Sequence, residues 1–355
     1  MRRVFIIVPS FQSTGPVKGA VALANGMVHE RPVTLVALKG AAGRDPWLDP
    51  RVEAHSLADY RRGVARVRAY RALLAAAGGR ERVASISFCL SADVTNVFCR
   101  HDAITCASVR GNLVANYRMD YGWRGVPVAT GHLVGLRGFD HVVAMTDAMA
   151  KQVRRYSRRA PAVIGNFVDE GPLEPYRRPD GNTGPHRFVF VGSLTRRKQP
   201  SLLLRAIQAL LAEGADVALD LVGDGPLRGE LENLVSSQSL GSTVRFHGHL
   251  ADPYPVVAAA DVMVLPSLSE GLSRAALEAL YLGVPCVLRG VDGNRELIEH
   301  GRNGALFQRE DDLARCMLDL ARWSRERTSR GSLLPEAYRQ ETGARRYLRL
   351  VESTG

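Results

Sequence analysis

The chain has 355 residues, of which 46% are hydrophobic and 23% charged, the composition of an ordinary soluble globular protein. This length exceeds the size at which one hydrophobic core usually stops growing, so we expect two domains. No apolar run reaches the roughly 18 residues of a membrane span, and the apolar part of "MRRVFIIVPSFQ" is too short for a signal peptide, so we expect a cytoplasmic protein. The five cysteines are scattered without a C-x-x-C spacing, which favours reduced packing residues over a metal site or disulfides.

The excess of positive charge lies in the first half of the chain. Residues 1–170 carry 24 basic and 13 acidic side chains, whereas residues 171–355 carry 23 of each, and the densest stretch, residues 57–83, has seven arginines and two acidic residues. Such a surface suits an anionic bilayer, which would place the protein peripherally on the inner face of the cytoplasmic membrane, or a phosphate-bearing partner; a solvated basic face is the alternative. Nucleic acid is not expected, because no recognition helix, zinc spacing or aromatic RNA-binding motif accompanies the charge.

The first half of the chain predicts a parallel sheet. A buried strand, "RRVFIIVPS", is followed by a loop around Gly15, a helical pattern and a second strand, "PVTLVALKG", which is the order of a βαβ unit with a right-handed crossover. Further candidate strands are "RVASISFC", "AITCASVRG" and "HVVAMTDAM". We therefore predict a doubly wound α/β domain over residues 1–168.

The second half repeats this alternation. Residues 169–186 are polar and rich in Pro and Gly, which predicts an interdomain linker, and strands and helices then alternate over residues 187–335 as a second Rossmann-like domain. Residues 336–355 predict a basic amphipathic helix that packs back on the first domain. Two such domains should face a central cleft at the carboxyl ends of their strands, where doubly wound folds bind ligands.

Two glutamates mark the second domain, Glu270 and Glu278 in "SEGLSRAALEALYLGVPCV". Within one helix, eight positions correspond to a rise of roughly 12 Å and a rotation of about 80° beyond two turns, so both carboxylates could not hold one small group. Because a strand precedes Glu270 and a helical pattern begins at "SRAALEAL", we expect Glu270 before the helix and Glu278 about two turns inside it. The free N–H groups near Gly271 and Arg274 could then hold a diphosphate between them, as in a nucleotide-sugar. Two ordinary surface glutamates are the alternative.

A basic loop follows the first strand of the second domain. In "VGSLTRRKQP", Arg196, Arg197 and Lys198 lie at the turn where a diphosphate would sit, and they could neutralise it; a basic helix cap is the alternative. The next turn, "LVGDGP", lacks the G-x-G-x-x-G pattern, so a nicotinamide cofactor is not expected.

These segments occur in a recognisable order. The series VGSL-x3-K, LVGDGPLR, VRFHGHL, Glu-x7-Glu, LGVPCV and ELIEHGRNGALF closely resembles the retaining glycosyltransferases of family 4, which have the GT-B fold. The resemblance covers about residues 160–310. It is looser in the first half, where it includes the glycine loop at Gly15 and "VIGNFVDE" with Asn166 and Asp169.

The resemblance implies a transferase whose second domain binds a UDP- or GDP-sugar and whose first domain binds the acceptor. Carried over by position, Lys198 and Arg197 bind the diphosphate, Glu270 lies near the sugar, Glu278 binds the ribose and Gly15 lets the backbone approach the donor phosphates. The same likeness assigns the remaining donor contacts to Gly192, Arg196, Gly271, Leu272, Ser273 and Arg274. No metal or other cofactor is implied, and the sequence contains no D-x-D motif.

The chain departs from the family pattern at several positions. Ser193 stands where the family commonly has an arginine, and Arg110, in "SVRGNL", stands where it commonly has a histidine. Because an arginine cannot act as a base, acceptor activation would use a donor phosphate oxygen, with Arg110 holding phosphate or acceptor. Arg274 could recognise a charged or unusual sugar, with an exposed helix arginine as the alternative. His132, in an apolar stretch, is interpreted as a packing residue, with a position lining the cleft as the alternative.

The function expected from the resemblance is transfer of a hexose, with retained anomeric configuration, to a hydroxyl of a growing glycan. The basic first half suggests a polyprenyl-diphosphate-linked acceptor in bacterial surface polysaccharide or lipopolysaccharide biosynthesis. Two alternatives stay open: a nucleotide-sugar epimerase of the GT-B fold and a non-catalytic protein that binds nucleotide-sugars.

Overall fold

The computed structural model describes residues 2–12, 14–40, 47–60, 63–177, 184–291, 293–327 and 331–353. The chain forms two compact units: unit 1 contains Met1–Asp169 and Glu336–Gly355, and unit 2 contains Glu170–Pro335. The prediction of a polar linker over residues 169–186 needs correction, because Gly171–Tyr176 forms a 3-10 helix of unit 2 with Leu173 fully buried. Of that stretch, residues 178–183 lie outside the described residues.

Unit 1 is built on a parallel sheet, which within the described ranges has seven strands in the order β3-β2-β1-β4-β5-β6-β7. The strands are β1 (Arg3–Ser10), β2 (Val33–Lys39), β3 (Glu53–Ser56), β4 (Val83–Phe88), β5 (Ile104–Val109), β6 (His141–Ala144) and β7 (Ala162–Val163). The central strands are almost continuously buried, as expected where helices cover both faces. The sequence did not predict β3 and β7, because one is short and polar and the other has two residues.

Helices connect these strands. They are α1 (Gly15–Met27), α2 (Val64–Ala76), α3 (Leu90–Asn96), α4 (Leu113–Tyr121), α5 (Gly125–Gly135) and α6 (Asp147–Val153). Short 3-10 helices lie at Val97–Cys99, Gly122–Arg124, Leu136–Gly138 and Arg154–Tyr156.

Unit 2 contains a second parallel sheet, with the order β10-β9-β8-β11-β12-β13 among the described residues. Its strands are β8 (His186–Val191), β9 (Val217–Val222), β10 (Val244–Gly248), β11 (Val262–Leu265), β12 (Cys286–Arg289) and β13 (Gly304–Phe307). Its helices are α7 (Pro200–Ala212), α8 (Arg228–Ser237), α9 (Tyr254–Ala258), α10 (Arg274–Tyr281), α11 (Asn294–Leu297) and α12 (Leu313–Glu326), with 3-10 helices at Arg196–Lys198 and Glu310–Asp312.

The last helix, α13 (Gln340–Glu352), follows a 3-10 helix at Glu336–Tyr338 and belongs to unit 1. Tyr347 and Leu348 join the core cluster that contains the buried face of α1, and the Tyr347 hydroxyl lies 2.7 Å from Ser108 Oγ on β5. Gly343 is required where α13 crosses Phe167, because a Cβ would lie 2.2 Å from the Phe167 ring. The amphipathic pattern of this helix therefore buries its apolar face in unit 1.

In each sheet the strand order reverses once, between β1 and β4 in unit 1 and between β8 and β11 in unit 2. Connections leave such a point in opposite directions and open a crevice at the carboxyl ends of the strands. Open parallel sheets bind ligands there, so these two reversal points position the candidate sites.

Candidate functional site

In unit 2, two loops meet at the reversal point of the sheet. The β8 loop (residues 192–198) and the β11 loop (residues 266–273) leave neighbouring strands. Leu268 N donates to Arg197 O at 2.9 Å, and the Arg197 guanidinium donates to Ser269 O at 3.0 Å. Backbone and side-chain hydrogen bonds thus fix the two loops against each other.

The charged side chains of these loops form one cluster. Lys198 Nζ donates to Glu270 Oε1, and the Arg197 guanidinium lies 3.8 Å from the same oxygen. Glu270 is only 9% exposed, so its carboxylate depends on these cations for compensation. The structure therefore brings together three residues that the sequence predicted for the donor site, while Arg196 of the same loop is exposed.

The second glutamate lies closer to the start of its helix than predicted. Helix α10 begins at Arg274, so Glu278 is its fifth residue, about one turn inside rather than two. The reason is local: Ser273, the residue before the helix, has extended backbone angles, and the predicted first turn is part of the loop. Glu278 is buried and lies 3.5 Å from Arg274, whose side chain is 11% exposed, so the alternative of an exposed helix arginine is wrong.

Several polar groups at this edge have unused hydrogen-bonding capacity. Ser273 makes no side-chain cap to the N-terminus of α10. The buried hydroxyls of Thr195 and Ser267 have no hydrogen-bond partner within the part of the chain that the structure describes. Buried polar groups are nearly always paired, so this edge can receive a polar ligand. Gly271 is half-buried and Leu272 buried in the same loop.

The "LVGDGP" turn braces the β8 loop. Gly223 has φ of +134°, and a Cβ at this position would lie 2.0 Å from Gly192 O; a Cβ on Gly225 would lie 2.6 Å from Leu194 O. These two glycines are needed for close packing between the loops. Gly192 differs, because its added Cβ would make only ordinary contacts, the nearest at 3.5 Å from Phe190.

Unit 1 has a cavity of about 820 Å³ at the carboxyl ends of its central strands. Arg110, predicted as a site residue, lies in its wall, donates to Asn166 Oδ1 and stacks 5.1 Å from the Phe88 ring centre. The structure therefore pairs Arg110 with the asparagine of "VIGNFVDE". Gly15 is the first residue of α1, and a Cβ there would meet nothing within 4 Å, so packing does not require this glycine and its role at the donor phosphates stays a prediction.

The same cavity wall contains a pair that the sequence interpretation missed. His132 Nε2 lies 2.8 Å from Asp93 Oδ2, and both side chains are buried. Ser87 Oγ donates to the other Asp93 oxygen at 2.6 Å. Burial raises the pKa of Asp93, and the hydrogen bonds from His132 and Ser87 oppose that rise. The interpretation of His132 as a packing residue is incomplete, because it overlooked a carboxylate 39 positions away.

The basic stretch over residues 57–83 does not present all its arginines as one free face. Arg71 pairs with Asp102 at 2.6 Å, Arg80 pairs with Asp140 at 2.8 Å, and Arg66 lines the cavity. Arg61 and Arg62 lie outside the described residues. No helix in the described ranges has the length and hydropathy that crossing a membrane requires. Contact with a bilayer surface stays a prediction.

Comparison with known proteins gives a partial match to one family. Residues 185–322, which include the whole cluster in unit 2, match the family model "Glycosyl transferases group 1". The chain is 31% identical over 185 residues to the lipopolysaccharide core biosynthesis glycosyltransferase LpsD of Rhizobium meliloti, covering 51% of this chain and 53% of LpsD. It is 32% identical over 127 residues to a UDP-Gal:alpha-D-GlcNAc-diphosphoundecaprenol alpha-1,3-galactosyltransferase of Escherichia coli, covering 35% and 33%. The chain thus spans about half the length, or less, of these curated relatives.

Solved structures match over nearly the full chain. Anabaena HepE, in complex with UDP and glucose, has a TM-score of 0.77 at 17% identity over 99% of this chain and 100% of its own. TarM has a TM-score of 0.81 at 12% identity over 99% of both chains. At such identities the likeness shows the fold alone. The predicted fold class, GT-B with two Rossmann-like doubly wound domains, is confirmed.

Proposed function

We propose that this protein is a retaining hexosyltransferase that moves a hexose from a UDP- or GDP-sugar to a hydroxyl of a growing, lipid-linked glycan. One observation carries the proposal: Lys198 and Arg197 of the β8 loop meet Glu270 of the β11 loop where the strand order of unit 2 reverses. The matched family segment contains both loops, and the relative from Escherichia coli is named for a UDP-sugar donor and a diphospholipid acceptor.

In this proposal the diphosphate of the donor binds at the N-terminus of α10. Lys198 exchanges its contact with Glu270 for a diphosphate oxygen, and Arg197 supplies a second cation. Both cations stabilise the charge that develops on the leaving diphosphate, so the proposed reaction needs no divalent metal. Glu270 is then released toward the sugar, and Glu278 accepts hydrogen bonds from the ribose hydroxyls.

The cavity of unit 1 is the proposed acceptor site. Its volume of about 820 Å³ falls within the range of small-molecule sites. The acceptor hydroxyl attacks from the face that the diphosphate leaves, which retains the anomeric configuration. The lipopolysaccharide relatives and the diphospholipid named for the galactosyltransferase favour a bacterial surface glycan as acceptor. A basic surface on unit 1 would support peripheral contact with the inner face of the cytoplasmic membrane.

Donor binding tests this proposal through thermal stabilisation by a panel of UDP-glucose, UDP-galactose, UDP-N-acetylglucosamine and GDP-mannose. One donor should raise the Tm of the wild-type protein and of the control Arg205→Ala, whose arginine pairs with Glu310 on the surface of unit 2. Lys198→Ala should abolish that shift. Equal shifts in wild type and Lys198→Ala would show that the diphosphate binds elsewhere.

Product assays separate the remaining functions. With the stabilising donor and a polyprenyl-diphosphate-linked N-acetylglucosamine, the transferase releases nucleoside diphosphate and forms an α-linked product, identified by NMR. An isomerised donor without acceptor would instead indicate an epimerase. Donor binding with neither reaction would indicate a binding protein.

A further inference from the structure

A series of buried hydrogen bonds leads to Asp93 in the wall of the unit 1 cavity. Ser85 Oγ donates to Asn96 Oδ1 at 2.7 Å, so the Tyr70 hydroxyl, 2.6 Å away, must donate to Ser85. Asn96 Nδ2 in turn donates to Ser87 Oγ at 3.2 Å, and Ser87 donates to Asp93. The series thus connects Tyr70 to the Asp93 carboxylate, while Asn96 Nδ2 also donates to Ser85 O at 3.1 Å. Burial raises the pKa of Asp93, and the hydrogen bonds from His132 and Ser87 oppose that rise.

The contact with Asp93 orients the ring of His132. When Asp93 is ionised its carboxylate only accepts hydrogen bonds, and His132 Nε2, 2.8 Å away, is then the donor. The other ring nitrogen, Nδ1, is then a hydrogen-bond acceptor, and the Tyr117 hydroxyl lies 3.4 Å from it. His132, Asp93 and Tyr117 all line the cavity. A buried carboxylate that orients a histidine in a ligand-sized cavity is the arrangement of a general base and its orienting group.

We propose that the Asp93–His132 pair takes the proton of the acceptor hydroxyl, in the role that the sequence pattern left to a donor phosphate oxygen. This inference rests on the proposed function. The acceptor O–H bond breaks as its proton moves to His132 Nδ1, and the acceptor oxygen forms a bond to the anomeric carbon. The bond between that carbon and the diphosphate oxygen breaks, and its electron pair leaves with the diphosphate. Asp93 stabilises the imidazolium that results.

The surroundings of the pair allow this proton to be followed by pH. The titratable or charged groups that face the pair or share its cavity wall are Cys89, Cys106, Tyr117, Tyr121, Lys39, Arg66 and Arg110. Burial raises the pKa of both thiols, that of Cys89 to about 11, so neither ionises between pH 5 and 9.

The test measures release of nucleoside diphosphate between about pH 5 and 9, with the donor found by thermal stabilisation and water as the acceptor. The wild-type rate should rise with pH and then level off, as expected of a reaction that needs a deprotonated base. His132→Gln should lower the plateau by about tenfold or more and remove the rise. The control His141→Gln changes another buried histidine of unit 1, which lies on β6 outside the cavity wall, and should preserve both. A wild-type plateau and profile in His132→Gln would overturn the proposal.

Two further measurements keep the proposal decidable if His132→Gln is unstable or no donor binds. Asp93→Asn keeps the imidazole but removes its orienting carboxylate; it should lower the plateau while UDP still binds, and an unchanged plateau would contradict the proposal. In the wild-type protein, methyl α-glucoside, methyl α-galactoside or N-acetylglucosamine should shift the NMR resonances of His132 and leave those of His141 in place. If no donor binds, the proposed function fails, and absence of this shift would separately remove the cavity as a saccharide site.

Discussion

The carboxyl edges of the two sheets differ in the side chains that they bring together. In unit 2, two loops hold charged side chains against each other, with Lys198 on Glu270, and two glycines allow a third loop to pack at backbone contact distance. In unit 1, the edge surrounds a cavity, and a series of uncharged donors beneath it leads to one buried carboxylate, while the cavity wall also contains Lys39, Arg66 and Arg110. The first arrangement suits a highly charged ligand, and the second suits the orientation of a hydroxyl. Each prediction below tests one side of this contrast.

The largest effect on turnover should come from removing the charge of Lys198 in unit 2. Lys198→Ala should lower turnover by about 100-fold or more, because it removes a group that stabilises the leaving diphosphate and leaves the buried Glu270 with less compensation. Steady-state kinetics with the identified donor measures this loss. The matched control is Arg302→Ala, an exposed arginine of the same unit that pairs with Glu299, and it should retain wild-type turnover. Near wild-type turnover in Lys198→Ala would refute a charge-based site.

The next largest effect is expected on the stability of unit 2, where Gly223 packs against the β8 loop. Gly223→Ala should destabilise unit 2 by about 3 kcal/mol or more, because its Cβ would overlap Gly192 O at a φ that L-residues rarely adopt. Hydrogen exchange of the β8 and β9 amides measures the change. In contrast, Gly229→Ala in α8, where a Cβ meets nothing within 4 Å, should leave stability unchanged or raise it by up to about 1 kcal/mol. Similar protection in both variants would mean that the loops are not closely packed.

The ion pair between Arg80 and Asp140 in unit 1 should contribute to the free energy of unfolding in a pH-dependent way, with an effect of intermediate size. Burial opposes ionisation of Asp140, but donors from Arg80 and Thr105 outweigh it and hold the pKa of Asp140 below its usual value. A lowered pKa contributes stability above the unfolded value of about 3.9, and that contribution is lost as pH falls through the folded pKa. Asp140→Asn should therefore cost about 2 kcal/mol at pH 7, and the difference from wild type should shrink below about pH 4.

Hydrogen exchange of the β5 and β6 amides across that pH range checks this expectation. Asp102→Asn, which breaks a pair with the more exposed Arg71, should cost less than about 1 kcal/mol. If the cost of Asp140→Asn stayed constant down to pH 2, the pair would not be ionic.

The smallest structural effect is expected at Gly15. Gly15→Ala should change the stability of unit 1 by less than about 0.5 kcal/mol, because the added Cβ meets nothing and the backbone has ordinary helical geometry. Any loss of turnover would then isolate the predicted approach of this backbone to the donor phosphates. Wild-type kinetics in Gly15→Ala would remove Gly15 from the donor site.

The sequence predicted those features that are local in the chain. The apolar runs gave the parallel sheets, and the short basic loop and the glutamate spacing identified Lys198 and Glu270 before the structure placed them together. Glu278 was placed one turn too deep, because no residue between Glu270 and Arg274 signals that the loop stays extended.

Features that depend on distant contacts were not predictable. Asp93 and His132 are 39 positions apart and come from different helices, so only the folded sheet brings them to one cavity. Likewise, no local pattern indicates that Gly223 touches Gly192 rather than a cofactor. The missed residues are those whose role is set by tertiary contacts.

The return of α13 to unit 1 has a consequence for biosynthesis. During synthesis on the ribosome, the apolar surface of unit 1 that Tyr347 and Leu348 cover is made early. Helix α13, which carries these two residues, is made only after all of Glu170–Pro335. Unit 2 can therefore fold while unit 1 is still incomplete and its uncovered apolar surface is accessible to chaperones and proteases. A circular permutant that places α13 ahead of β1 should let unit 1 fold as soon as it is synthesised and should give a higher soluble yield in cells. The hydrogen bond from Arg2 to Val351 O shows that the end of α13 lies next to the start of β1, so the two can be joined.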